Sequence, residues 1–218
     1  MATTKMTKRA ATMVAHTLSN PSKMPCKGYS LPASRCITGS KLRQQPGTVC
    51  SDCYACKGMY AFGTTQAALE KRFASLDHPD WVEAMVTLIG DDSYFRWHDS
   101  GDLQSVDHLL RIIQVAMLTP HCNHWLPTKE LGMVSELLKG NSAVIPQNMI
   151  IRLSAPKVNS KMLTRPTHPC VKRCRSVTAD FVVGEHTHTC PAPKQDGACQ
   201  DCRACWNPNV EDVAYLMH

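Results

Sequence analysis

The sequence contains no apolar run approaching the ~20 residues of a membrane-spanning helix. It has no Gly-X-Y period and no heptad repeat, which excludes collagen-like and coiled-coil rods. The opening stretch, residues 1–9, is polar and basic with no apolar segment behind it, so no secretion signal is expected and the reading is cytoplasmic. Charged residues make up only 19% of the 218 residues, and apolar ones 43%. That balance excludes a disordered chain. A chain of this length buries about 70% of its unfolded surface, enough for one core and little more. A single domain over residues 1–218 is therefore expected.

Cysteine is abundant, with 12 residues. A disulfide scaffold is normally a short secreted chain, and this one is neither short nor supplied with a leader. In a reducing compartment clustered thiols point to metal. One cluster is Cys50-x-x-Cys53-x-x-Cys56 with Cys36 upstream; the other is Cys199-x-x-Cys202-x-x-Cys205 with Cys190 upstream. Thiols two residues apart fit on one tight loop and suit a cubane [4Fe–4S] cluster. Zinc, which takes paired Cys-x-x-Cys knuckles, is the alternative. If only three of Cys36, Cys50, Cys53 and Cys56 bind, one iron stays open to a small molecule. Cys190, Cys199, Cys202 and Cys205 suffice for a closed site. Cys122 reads as a buried small hydrophobe, Cys26 has no neighbour in sequence, and Cys170, Cys174 and His168 make at most a minor site. His186 and His188 read as loop residues.

Residues 18–60 form a Cys-rich segment with little periodicity, read as irregular structure organised by metal. Over 61–156 the pattern becomes regular. A helix is predicted over Thr64–Leu76, and a second follows Pro79 with Trp81, Met85 and Ile89 inward. Tyr94–His98 reads as a strand, and Asp99-Ser100-Gly101-Asp102 as a turn. Ser105 caps a helix to Leu118. Cys122–Leu126 is a strand, Lys129–Lys139 a helix ended near Gly140, and Met149–Ser154 a strand. This alternation predicts an α/β fold, either a partial βα barrel or a parallel α/β layer, with Cys-rich N- and C-terminal segments organised by metal. Chemistry in such folds gathers at the carboxyl ends of strands. Those ends hold His98, Asp99, Ser100, Gly101, Asp102, Thr128, Glu130 and Ser154.

The net charge is +6. Between Lys157 and Arg175 lie Lys157, Lys161, Arg165, Lys172, Arg173 and Arg175 with no acid among them. Residues 157–189 therefore read as a loop-rich basic surface, suited to a phosphate-bearing small molecule or nucleic acid or simply solvated. Residues 190–218 complete the chain as a metal-binding segment.

Several motifs together resemble the phage gene product eighty-eight family. They are Asn20-Pro-Ser-Lys-Met24, Ser30-Leu-Pro-Ala33, Cys50-x-x-Cys53-Tyr-Ala55, Arg96-Trp-His-Asp-Ser-Gly-Asp102 and Cys199-x-x-Cys202-x-x-Cys205-Trp206. The likeness runs from about residue 18 to the C-terminus. More distantly, Cys36…Cys50-x-x-Cys53-Tyr54 followed by strand–helix repeats is similar to radical S-adenosylmethionine enzymes. That resemblance implies a partial βα barrel, a [4Fe–4S] cluster on Cys36, Cys50 and Cys53 with Cys56 as substitute, and S-adenosylmethionine on the open iron. It implies Tyr54 near the adenine, and Ser100, Gly101 and Asp102 at the cofactor's amino group. His98, Asp99, Thr128, Glu130 and Ser154 would face substrate, and the C-terminal cysteines would bind an auxiliary cluster. Such an enzyme needs an electron donor and, if phage-encoded, works in the host cytoplasm. The competing expectation is a non-enzymatic zinc- or iron–sulfur-stabilised module binding nucleic acid or protein. A two-cluster electron carrier would have no use for so large an α/β scaffold.

Overall fold

The computed structural model describes residues 6–139, 145–160 and 166–217. Lys161, Arg165 and the helix stop at Gly140 lie outside these residues. Among them run seven strands: β1 (Lys27–Tyr29), β2 (Tyr94–Trp97), β3 (Asn123–Thr128), β4 (Met149–Ser154), β5 (Val171–Val177), β6 (Thr187–Thr189) and β7 (Asp212–Leu216). They form one sheet in the order β1-β2-β3-β4-β5-β7-β6, with every neighbouring pair parallel. The order is sequential as far as β5, so the sheet is wound in one direction. Its edges, β1 and β6, are not paired with each other. The fold is thus a parallel α/β layer.

Six helices accompany it: α1 (Lys8–Ala15), α2 (Ile37–Arg43), α3 (Gly63–Ser75), α4 (Trp81–Ile89), α5 (Val106–Leu118) and α6 (Leu131–Lys139). Ser105 caps α5 by accepting from the His108 N–H, as its position suggested. Residues before 60 are less irregular than expected, since they supply α1, β1 and α2. Tyr29 of β1 is the reason α1 docks. Its hydroxyl donates to the Ala15 carbonyl at 2.8 Å and accepts from Trp81 Nε1 at 3.3 Å. Its ring packs edge-on to Trp81 and Trp97.

Alternation along each strand splits the core in two. Phe95, Trp97, Leu126, Met149, Ile151 and Leu153 pack with α4 and α5 into the larger cluster. Trp125, Cys174 and Val213 belong to a second cluster, covered by Cys205, Trp206 and Met24. The sheet therefore has α1, α4 and α5 on one face, and Met24, Cys26 and the residues around Trp206 on the other.

β5 corrects the reading of Lys157–Arg175 as a surface loop. Lys172, Arg173 and Arg175 are strand residues. Lys172 pairs with Glu211, and buried Arg175 with buried Asp212, so acids from around β7 neutralise this part of the basic run. Among the described residues no helix is long and apolar enough to cross a membrane.

Candidate metal and cofactor site at the carboxyl edge of the sheet

The chain leaves β1 and runs across the carboxyl ends of β2, β3 and β4. The Leu31 N–H donates to the Ser100 carbonyl at 2.9 Å, and Ser100 Oγ returns a bond to the Leu31 carbonyl. Gly101, at φ 82°, fits because a Cβ there would lie 2.6 Å from Leu31 Cβ. Glu130, just past β3, accepts from the Thr38 N–H at 2.8 Å and the Thr38 hydroxyl at 2.7 Å. The Val49 N–H donates to the Pro156 carbonyl beyond β4 at 2.9 Å. Three strand exits thus hold the segment bearing Cys36, Cys50 and Cys53.

The thiols meet there although thirteen residues separate Cys36 from Cys50. A Cβ on Gly39 of α2 would stand 3.6 Å from both Cys36 Sγ and Cys50 Sγ. The same Cβ would be only 3.0 Å from Cys36 Cβ, so the absence of a side chain lets α2 pack closely on the two thiols. Burial pushes the Cys36 thiol up to about 12, with Asp102, Cys53 and Cys50 adding to it. Burial also raises Cys50, opposed by the Lys129 ammonium, and raises Cys56, whose next neighbour is Cys53. Such thiols stay protonated near neutrality until a metal displaces the proton. No disulfide joins any of the twelve cysteines. Among the described residues, no three Cys, His, Asp or Glu side chains already converge closely enough to hold an ion.

The carboxylates at this edge act as struts. Asp102 accepts from Thr128 Oγ1 at 2.6 Å, the Leu103 N–H at 2.8 Å and the Lys129 N–H at 2.9 Å. Burial outweighs these donors and lifts its carboxyl to about 6. Thr128 is buried and engaged with Asp102. Asp99 is gripped by Arg96 at 2.6 Å and by the Tyr60 hydroxyl. Tyr54 donates to the Asp99 carbonyl and leaves its ring half-exposed. Ser154 lies 3.2 Å from Cys174 Sγ. His98 departs from the group. Its ring is buried 5.4 Å from that of His108, within the aromatic packing around Trp97 and Trp81, and both its nitrogens lack partners. Burial holds it well below the usual histidine range, so it is neutral.

The C-terminal set is gathered differently. Burial raises the Cys190 and Cys199 thiols, with Cys202 adding to both and Cys190 to that of Cys199. Cys205 is turned toward Tyr215, 3.2 Å from its hydroxyl. Cys26 lies in the same neighbourhood, Cys199 being one of the charges that raise its thiol. His188 lies in β6 and not in a loop, with its Nε2 3.5 Å from Cys202 Sγ. Cys170 and Cys174 fall in separate clusters on the two faces of the sheet, so they share no site. Cys122 is fully buried, as expected.

Sequence reasoning missed Thr38 and Gly39 at the first site, passed over Lys129 in the Pro127–Glu130 strand end, and passed over Cys26 and His188 at the second. None belongs to a motif; each is brought in by the fold.

The family described as gene product 88 matches residues 1–208. The chain belongs to the gene product 88 family. Neither the curated proteins nor the solved structures provide a match.

Proposed function

We propose that this gene product 88 protein is an iron–sulfur enzyme of the radical S-adenosylmethionine kind. The observation that carries the reading is the placement of Cys36, Cys50 and Cys53. They follow the first strand of a one-way parallel sheet, lie across its carboxyl edge, and stand beside the loop that leaves the second strand. Gly39 lets α2 lie close to two of the thiols, since a Cβ there would be only 3.6 Å from each sulfur. A bound open-iron [4Fe–4S] cluster with S-adenosylmethionine supplies radical chemistry that no side chain can.

The chain's own part is to bind, orient and shield. Cys36, Cys50 and Cys53 are the ligands, with Cys56 in reserve. The positive charge of Lys129 favours the Cys50 thiolate against the burial that raises it. The exposed Tyr54 ring offers a flat apolar face to an adenine. Ser100 and Gly101 set the loop after β2, and Asp102 keeps a carboxylate beside the thiols for an ammonium group. Glu130 positions α2 rather than touching substrate. Cys190, Cys199, Cys202 and Cys205 are assigned to a second metal centre. Exposed Lys157 pairs through its backbone with Thr48, next to the Cys50 turn, and suits a phosphate-bearing substrate, a nucleotide or nucleic acid. An external electron donor is required, and the host cytoplasm supplies one.

A second reading, a metal-stabilised binding module without catalysis, is favoured by one observation. Asp102, Thr128 and Glu130 are occupied with one another and with Thr38. The test is to incubate the anaerobically reconstituted, reduced protein with S-adenosylmethionine and assay 5′-deoxyadenosine. Its formation, abolished in Cys50→Ser, is expected. Cluster-loaded protein that neither binds nor cleaves S-adenosylmethionine would overturn the enzymatic reading in favour of the module.

A further inference from the structure

The second cysteine set carries a more specific assignment than its spacing suggests. β6 holds His188, and Cys190 follows directly after its last residue, Thr189. The Cys190 N–H donates to the Ala214 carbonyl at 2.8 Å, which fixes that end of the strand against β7. Cys199 and Cys202 close a tight turn, the Cys202 N–H donating to the Cys199 carbonyl at 2.9 Å. That turn is pinned to the N-terminal segment by the Cys199 N–H on the Lys23 carbonyl at 3.0 Å. His188 Nε2 and Cys202 Sγ are 3.5 Å apart.

This separation has a chemical meaning. With Zn–S about 2.3 Å and Zn–N about 2.0–2.1 Å, two corners of a tetrahedral zinc site lie about 3.6 Å apart. In a cubane each ligand binds its own iron, so its ligands spread wider than the edge of a one-ion tetrahedron. Cys205 is committed elsewhere. Its sulfur is buried against the Tyr215 hydroxyl, and its carbonyl accepts from Arg152 Nε at 2.9 Å.

We propose that His188, Cys190, Cys199 and Cys202 form a structural zinc site, with His188 taking the corner that sequence spacing gives to Cys205. Three thiolates and one imidazole are an established closed zinc set. All four residues are half-buried, so an ion has access. Among the described residues no three such side chains yet converge, so zinc would draw Cys190 and Cys199 in onto the His188–Cys202 pair. Zinc would then staple β6 and the 199–202 turn, and through Lys23 the N-terminal segment. The proposal sharpens the reading of the C-terminal set as a metal centre and does not depend on what the carboxyl edge holds.

The test uses the full chain, with zinc and iron counted separately and zinc retention measured against a competing chelator. Wild type is expected to retain about one zinc per chain. His188→Ala should weaken retention at least tenfold, Cys205→Ala should leave it unchanged, and His188→Cys should restore it. With cobalt in place of zinc, the thiolate charge-transfer absorption should correspond to three thiolates in wild type and four in His188→Cys. Because His188→Cys keeps a ligand in place, it remains informative if His188→Ala fails to fold. Zinc lost from Cys205→Ala but kept by His188→Ala would overturn the assignment, as would wild type that holds no zinc. Iron missing from the carboxyl edge while zinc stays would instead count against the enzymatic reading alone.

Discussion

Asp102 shows why residue types could be read from the sequence while their work could not. Its place in a turn after a strand was legible from Ser100-Gly101-Asp102. Its partners were not, because Thr128 and Lys129 arrive from β3, which pairs with β2 only in the folded sheet. Burial raises this carboxyl from 3.8 to about 6. An acid whose folded pKa is raised contributes stability when protonated. That contribution is complete below the unfolded value and is lost as pH rises through the folded one. Unfolding of wild type and Asp102→Asn should therefore be compared at about pH 4.5 and about pH 7.5. The wild type should gain on the variant at the lower pH, by about 2 kcal/mol. A gap that is constant, or wider at the higher pH, would contradict this. Gly39 gives a second test. Alanine there favours the α2 helix by about 1 kcal/mol, yet its Cβ would sit 3.0 Å from Cys36 Cβ and 3.6 Å from each of the two sulfurs. Gly39→Ala should leave the melting temperature within a few degrees of wild type while iron content falls severalfold. Full iron loading in Gly39→Ala would show that the close packing of α2 on the thiols is not needed to hold the metal.

At the scale of elements, legibility followed periodicity. β4 and α5 appeared where their apolar spacing and the Ser105 cap put them. β3 extends two residues past Leu126 to Thr128. β1 and β6 have three residues each, too few to show a period of two. β5 was hidden by its cations, because Glu211 and Asp212, which neutralise Lys172 and Arg175, come more than thirty residues later. One side chain ties residues 204–210 to the sheet. Fully buried Arg152 of β4 donates to the carbonyls of Ala204, Cys205, Asn207 and Val210, and to Arg173 on β5. Arg152→Met keeps the volume but leaves those acceptors without their donor. It should lower stability by at least about 3 kcal/mol in a urea titration. A loss under about 1 kcal/mol would mean that the segment is anchored elsewhere.

The whole molecule is a parallel layer used on two sides. Its helical face carries the larger core, its other face is closed by Met24, Cys26 and the residues around Trp206, and the N-terminal thiols cross its carboxyl edge. The sequence announced both cysteine sets and the α/β class. It could not announce that Cys36 and Cys50 meet, or that His188 joins Cys202, since both encounters depend on strand order. The central claim is that the carboxyl-edge thiols hold an iron–sulfur cluster. The most direct measurement is iron and acid-labile sulfide on protein purified without oxygen, with its visible spectrum. The account predicts iron and sulfide at about four each per chain and absorbance at about 400 nm, all lost in Cys36→Ser/Cys50→Ser. A colourless wild-type protein, free of iron and with Cys36, Cys50 and Cys53 open to alkylation, would contradict it.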